Sequence, residues 1–334
     1  MFICLFESSF KRENRKPANQ GGIMLAVRFG ASFVSPFPRQ KRKLRHWGKF
    51  RKCSFVAFRP LSSVLLLIAL GCSGTGFGDD APDKSVEQAR LETMRDRIIE
   101  ISVQSREPGF PDKMVDQPLF RYDDLTRGYI DGTVWRLGAS GRPKAIITSE
   151  LHPKYDGSPR IVYDYLSLSE TPFSARMAEG AVWSPPGSAV EMKSLSDGPQ
   201  LAGTKAQRLF QLKKMSERFT GHQTVEGQDL ELRLLPRPID RYQPADGDEC
   251  DAAVFLFVSG RNPGIILLIE STGSNWQYGV GRLSEPSLLR VELDGNTVWN
   301  VDRATLGWSM PYTATNFHVD IPGIKSQARV TSDN

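Results

Sequence analysis

Apolar residues recur along this chain with a helical period in two places, and with a strand period or in unbroken runs elsewhere. In residues 82–103, Leu91, Met94, Ile98 and Ile101 fall three and four apart and mark one face of a helix. Ser85 with Gln88 three positions on forms a capping box at its start. Residues 204–219 repeat the design. Thr204 and Gln207 are the box, Leu209, Leu212, Met215 and Phe219 share a face, and Gly221 follows as the stop. From Phe120 onward the pattern turns to strands. Residues 132–137, 145–150 and 160–168 are rich in Val, Ile, Tyr and Trp and are separated by Gly or Pro turns. Residues 229–235 alternate, with Leu230, Leu232 and Leu234 against Glu231 and Arg233, and stop at Pro236 and Pro238. Residues 253–259 and 265–270 read as a buried hairpin, and 276–283, 288–293 and 297–301 continue the run. The stretches 106–118 and 184–203 read as connectors.

Two parts of this pattern echo each other, residues 131–170 and 251–285. Each opens with Asp, then Val three residues later and an aromatic: Val134-Trp135 and Val254-Phe255. Each turns at Ser-Gly-Arg before a proline, Ser140-Gly141-Arg142-Pro143 in one and Ser259-Gly260-Arg261-Asn262-Pro263 in the other. Each places Glu seven residues after that proline (Glu150, Glu270), then Tyr, then Leu-Ser-Glu (Tyr163 to Glu170, Tyr278 to Glu285). A repeat of this kind reshapes the expected fold, although hairpins draw on similar turn chemistry in any case. The expectation is a β-dominated α+β fold. Its antiparallel sheets form a sandwich or half-barrel, with room for two duplicated meanders and two packing helices.

One apolar run belongs to neither pattern. Val64 to Leu70 is wholly apolar, far short of the roughly 20 residues that span a bilayer, and it follows a basic stretch. It reads as the core of a signal peptide, which divides the chain. Residues 1–71 are a basic leader whose start codon is placed too far upstream, 72–81 a flexible tether, 82–321 a single β-rich globular domain, and 322–334 a loose tail. Three outcomes fit the stretch around Cys72. Ile68-Ala69-Leu70-Gly71-Cys72 resembles a permissive lipobox that would make Cys72 an acylated first residue. Ordinary cleavage near Gly71 would release the protein, and an uncleaved run would leave a short anchor. The expected address is the cell envelope, periplasmic or extracellular, with a membrane as partner if Cys72 is lipidated.

The division changes the charge. The whole chain is +5, with 43 Lys and Arg against 38 Asp and Glu. Residues 1–71 hold 14 basic and 2 acidic residues, which leaves 43 − 14 = 29 against 38 − 2 = 36, or −7, for the remainder. An acidic domain lacks the electrostatic footprint of nucleic-acid binding, so no nucleic acid is expected as a partner. Cys4, Cys53 and Cys72 leave the disulfide arithmetic with the leader. Cys250 then stands alone between carboxylates, which disfavour a reactive thiolate.

Motifs of chemistry are sparse. Gly-x-Ser-x-Gly, Walker and Cys-x-x-Cys patterns are missing after the leader, and no cofactor or metal is implied. Glu150 and His152 stand two apart on a strand and so share a face. Glu270 ends the corresponding strand of the second meander. These three are the candidate acids and bases, and the separation of two carboxylates in space would decide any glycosidase-like mechanism. Trp135, Trp276, Tyr278 and Trp299 are the candidate platform for sugars or peptides, against the plainer reading that they are core.

The segments Gly132-Thr133-Val134-Trp135, Gly141-Arg142-Pro143, Leu232 to Pro238, and Leu267-Leu268-Ile269-Glu270 together resemble an uncharacterised family of exported bacterial proteins. The resemblance carries no activity. The leading functional expectation is a non-catalytic envelope protein that binds a protein, polysaccharide or other ligand. The alternative is a hydrolase acting on an envelope or extracellular polymer. A third class is an assembly component that pairs through its sheet edges.

Overall fold

The computed structural model describes residues 84–244, 250–272 and 274–324. The export stretch, Cys72, the tether and most of the 322–334 tail lie outside them. Among the described residues, no helix is long and apolar enough to cross a membrane.

The first part of the chain runs α1 (Lys84–Ile99), β1 (Ser102–Ser105), β2 (Phe120–Asp124), β3 (Tyr129–Leu137), β4 (Ala145–Tyr155), β5 (Ser158–Ser167), β6 (Phe173–Arg176), β7 (Val182–Trp183) and β8 (Met192–Leu195). The second part runs α2 (Lys205–Ser216), β9 (Phe219–Val225), β10 (Gln228–Leu234), β11 (Asp240–Tyr242), β12 (Cys250–Ser259), β13 (Asn262–Thr272), β14 (Asn275–Arg282), β15 (Leu288–Leu293), β16 (Asn296–Val301) and β17 (Tyr312–His318). The fold is β-dominated, with antiparallel sheets that include a curled half-barrel and with two helices, as the periodicity predicts. Strands β3, β4 and β5 form one meander and β12, β13 and β14 the other.

The two halves share more than topology. Arg121 of β2 grips Asp131 through Nε (2.8 Å) and Nη2 (2.5 Å), and its Nη2 also donates to the Glu87 carbonyl in the first turn of α1. Arg241 of β11 grips Asp251 through the same two nitrogens and reaches the Lys205 carbonyl at the start of α2. The Tyr122 hydroxyl donates to Glu150 at 3.0 Å, and the Tyr242 hydroxyl to Glu270 at 2.6 Å. Backbone bonds Leu119 N to Val134 O and Leu168 N to Lys144 O recur as Ile239 N to Val254 O and Leu283 N to Gly264 O. Both Ser-Gly-Arg turns hold their glycine in the left-handed region, Gly141 at φ 66° and Gly260 at φ 63°, where a side chain would be strained.

The outer strands are exchanged between the halves. β8 follows the first meander but pairs with β14 of the second, and β17 follows the second but pairs with β5 of the first. The larger sheets therefore run β17-β5-β4-β3-β2 and β16-β15-β9-β10-β12-β13-β14-β8, with β1-β6-β7 as a small third sheet.

Alternation along the strands explains the layers. Val134, Ile146 and Leu166 meet Val254, Leu256 and Leu268 in a central apolar layer between the halves. On the far side of the first meander, Trp135, Ile147 and Tyr165 pack against Met94 and Ile98 of α1 and Trp183 of the small sheet. On the far side of the second, Phe255, Phe257 and Leu267 pack against Leu212 of α2 and Leu289 of β15.

Several boundaries differ from the sequence reading. Thr204 caps α2 by accepting from Gln207 N at 3.3 Å, but the helix closes at Glu217. Phe219 and Gly221 instead belong to β9, because Gly221 lets the backbone approach Phe257, whose ring a Cβ would meet at 2.8 Å. The 184–203 connector contains β8, and β17 lies beyond the last strand expected from the pattern, 297–301.

Candidate functional site

The alternation along β4 puts Ile146, Thr148, Glu150 and His152 on one face of the sheet. The register with β5 sets Asp164 opposite Thr148 and Val162 opposite Glu150. This face looks toward the second half, and there the chain encloses a cavity of about 370 Å³. The first half contributes Tyr129, Glu150, His152, Val162 and Asp164. Arg127 and Tyr155 complete that side, and the remaining wall comes from Gln223 and Val225 of β9, Asn262 of β13, the 283–287 loop, Leu306, and residues 314–316 of the exchanged strand β17.

Hydrogen bonds fix the acidic side of this cavity. His152 Nε2 and Glu150 Oε2 stand 3.0 Å apart, and the Tyr122 hydroxyl donates to Glu150 Oε1. The Thr148 hydroxyl donates to Asp164 Oδ2 at 3.0 Å, and the Tyr312 hydroxyl donates to Asp164 Oδ1. Burial raises Tyr122 and Tyr312 well above the ordinary tyrosine range, reinforced by Glu150 and Asp164 respectively, so both remain donors. Burial, then the Glu150 charge, pushes the Asp164 carboxyl up to about 7, against the pull of its bonds from Tyr312 and Thr148. Asp164 therefore keeps its proton to a much higher pH than an ordinary carboxyl.

The 283–287 loop is held by Arg282, which is buried and donates to the carbonyls of Ser284, Glu285, Ser287 and Asp302. Its guanidinium lies 5.2 Å from the Tyr312 ring centroid, so one cation braces both the loop and the donor to Asp164. Two polar atoms among the cavity-lining residues remain without a partner, Tyr129 Oη and Gln223 Oε1. Their residues are only 1 % and 4 % exposed, so water in the bulk does not satisfy them. Among the described residues, no group of three His, Cys, Asp or Glu side chains stands arranged to hold a metal ion.

Of the residues singled out from sequence, Glu150 and His152 meet in this cavity. Glu270 does not join them. Arg142 clamps it through Nε at 2.7 Å and Nη2 at 2.6 Å, and Tyr242 donates to it as well. Trp135, Trp276 and Tyr278 are buried and Trp299 half-buried against the α2-side core, so these four form no exposed platform. Their rings are used in packing, and the Trp276 indole donates to the Pro199 carbonyl. Cys72 lies outside the described residues, and Cys250 is buried and forms no disulfide among the described residues.

Sequence reasoning missed Tyr129, Asp164 and Gln223. The echo between the halves held a signal for Asp164. Glycine stands at its counterpart, Gly279, while Thr148 matches Leu268 and His152 matches Thr272. The polar substitutions in an otherwise apolar repeat collect in one place. Comparison with protein-family models, with curated proteins and with solved structures finds no match for this chain.

Proposed function

We propose that this is an exported cell-envelope protein whose β-rich domain is a non-catalytic binding module, taking a small ligand in the cavity between its halves. The observation that carries the reading is the cavity of about 370 Å³ itself, which gathers the hydrogen-bonded Glu150–His152 pair and Asp164 with apolar lining from Val162, Leu283 and Leu306. The volume falls within the range of about 300–1,000 Å³ usual for small-molecule sites. The signal-peptide pattern and the resemblance to exported bacterial proteins support the address. A lipid on Cys72 would make the membrane a partner, and the acidic domain argues against nucleic acid.

The test is a chemically diverse fragment screen by ligand-observed NMR on the protein and on Ala314→Trp, which fills the cavity from its edge strand. Fragments that bind the parent and are displaced in the variant support the reading. A screen in which no fragment distinguishes the two proteins rejects it.

One observation favours a second reading, a hydrolase of envelope polymers. The hydrogen-bonded Glu150–His152 pair lies beside Asp164, whose carboxyl titrates near 7, a range suited to general acid–base work. Turnover of peptidoglycan or polysaccharide fragments that is abolished by His152→Ala would establish it over the binding reading.

A further inference from the structure

The near-symmetry of the two halves makes each a control for the other. In the second half, Glu270 is occupied by a guanidinium: Arg142, from the β3–β4 turn of the first half, meets it with two parallel hydrogen bonds. Glu150 is the counterpart of Glu270, with Tyr122 in the place of Tyr242. The residue that matches Arg142 in the Ser-Gly-Arg turn is Arg261. It does not reach Glu150. Its guanidinium donates to Asp123 at 2.8 Å and its side chain is 69 % exposed. The turn in the second half carries one extra residue before its proline, Asn262, and Asn262 is what lines the cavity. Beside Glu150 no guanidinium is present: His152 Nε2 meets its Oε2 at 3.0 Å, Tyr122 donates to its Oε1, and the cavity opens on this pair.

We propose that the ligand of this cavity is a small organic cation, an alkylguanidinium or alkylamine, whose charged head approaches the Glu150 carboxylate beside His152 as Arg142 approaches that of Glu270. The proposal rests on the reading of the cavity as a binding site. Two further features fit an alkyl cation. Glu150, Asp164 and Glu285 all line the space, whereas the one arginine there, Arg127, is already matched by Asp124 at 3.5 Å. The apolar wall of Val162, Val225, Leu283, Pro286, Leu306 and Ala314 suits a hydrocarbon stem.

The experiment is calorimetric titration of the full chain with four ligands that share one stem: hexylguanidinium, hexylamine, hexanol and hexanoate. A cationic member should bind about tenfold or more tightly than hexanol and hexanoate, and Glu150→Gln should weaken it by a similar factor. The glutamine keeps the acceptor for Tyr122, and an unchanged unfolding curve will show that the variant is folded. Arg142→Ala provides an independent arm. It uncovers Glu270, and millimolar methylguanidinium should raise its melting temperature more than that of the parent. Equal or tighter binding of hexanol or hexanoate overturns the cation while leaving a binding site in place. Binding by none of the four also overturns it, and the fragment screen then decides whether a site exists at all. Cation binding that emerges only in Arg261→Ala would assign the place beside Glu150 to that arginine and overturn the proposal. So would a failure of methylguanidinium to rescue Arg142→Ala.

Discussion

Replacing Asp164 with asparagine is expected to stabilise the protein above neutral pH and to flatten part of its stability–pH curve. Burial, followed by the Glu150 charge, lifts this carboxyl from 3.8 to about 7 in the folded protein. In the unfolded chain it ionises at its ordinary value. Between those two values the unfolded chain has released a proton that the folded protein keeps, so stability falls as pH rises through the window. At about 1.4 kcal/mol per pK unit the whole loss is about 4 kcal/mol, of which about 3 kcal/mol falls between pH 5 and pH 8. Asparagine carries no charge at any pH. Its carbonyl can accept from Tyr312 and its amide can donate to the Thr148 hydroxyl, the two partners Asp164 now has. The assay is urea unfolding of parent and variant at pH 5, 6, 7 and 8. The difference in unfolding free energy should move in favour of the variant by about 3 kcal/mol over that range, most of it below pH 7. A difference that stays flat with pH, or that turns against the variant at pH 8, would refute the argument that burial governs this carboxyl.

Two further perturbations probe the frame around the site. Arg142→Met leaves the Glu270 carboxylate buried with only Tyr242, which should cost about 3 kcal/mol in urea unfolding. Adding Glu270→Gln should recover most of that loss, and a double variant as unstable as the single would show that the arginine acts through packing. At Gly198 a Cβ would lie 2.0 Å from Cδ1 of Trp276, so Gly198→Ala should cost about 1–3 kcal/mol. It should also shift the indole emission, because it disturbs the Trp276 bond to Pro199. Unchanged stability and emission would place that ring elsewhere.

Much of the fold was legible because its strongest elements are locally determined. β12 and β13 carry almost unbroken apolar runs because both faces are covered, and α2 announces itself through the Thr204 cap. Strands β8 and β17 were not legible, since their burial comes from the opposite half. Along Tyr312–His318 only Tyr312 and Thr313 are buried, too little to write a period into the sequence. The site divides in the same way. Glu150 and His152 share a face by the geometry of a strand, so their meeting followed from spacing. The parting of Glu150 from Glu270 did not, because it depends on which arginine reaches which carboxylate. A one-residue difference between the Ser140 and Ser259 turns distinguishes those arginines, and sequence alone gives it no consequence.

The exchanged strands also govern the order in which the chain can fold. β17 closes onto β5 with Tyr312 beside Leu166, a separation of 312 − 166 = 146 residues. Joining such distant segments costs about 4 kcal/mol of loop-closure entropy before any contact rewards it, and topologies dominated by non-local pairing fold slowly. The first meander therefore has an open edge at β5, and Asp164 has no Tyr312, until nearly the whole domain has emerged. Neither half can mature ahead of the other. A chain that stalls at this stage presents a free edge to any neighbour at the same stage, and at high concentration two such chains could trade β17. The same latch that builds one wall of the cavity makes its completion a late, all-or-none event in the life of the molecule.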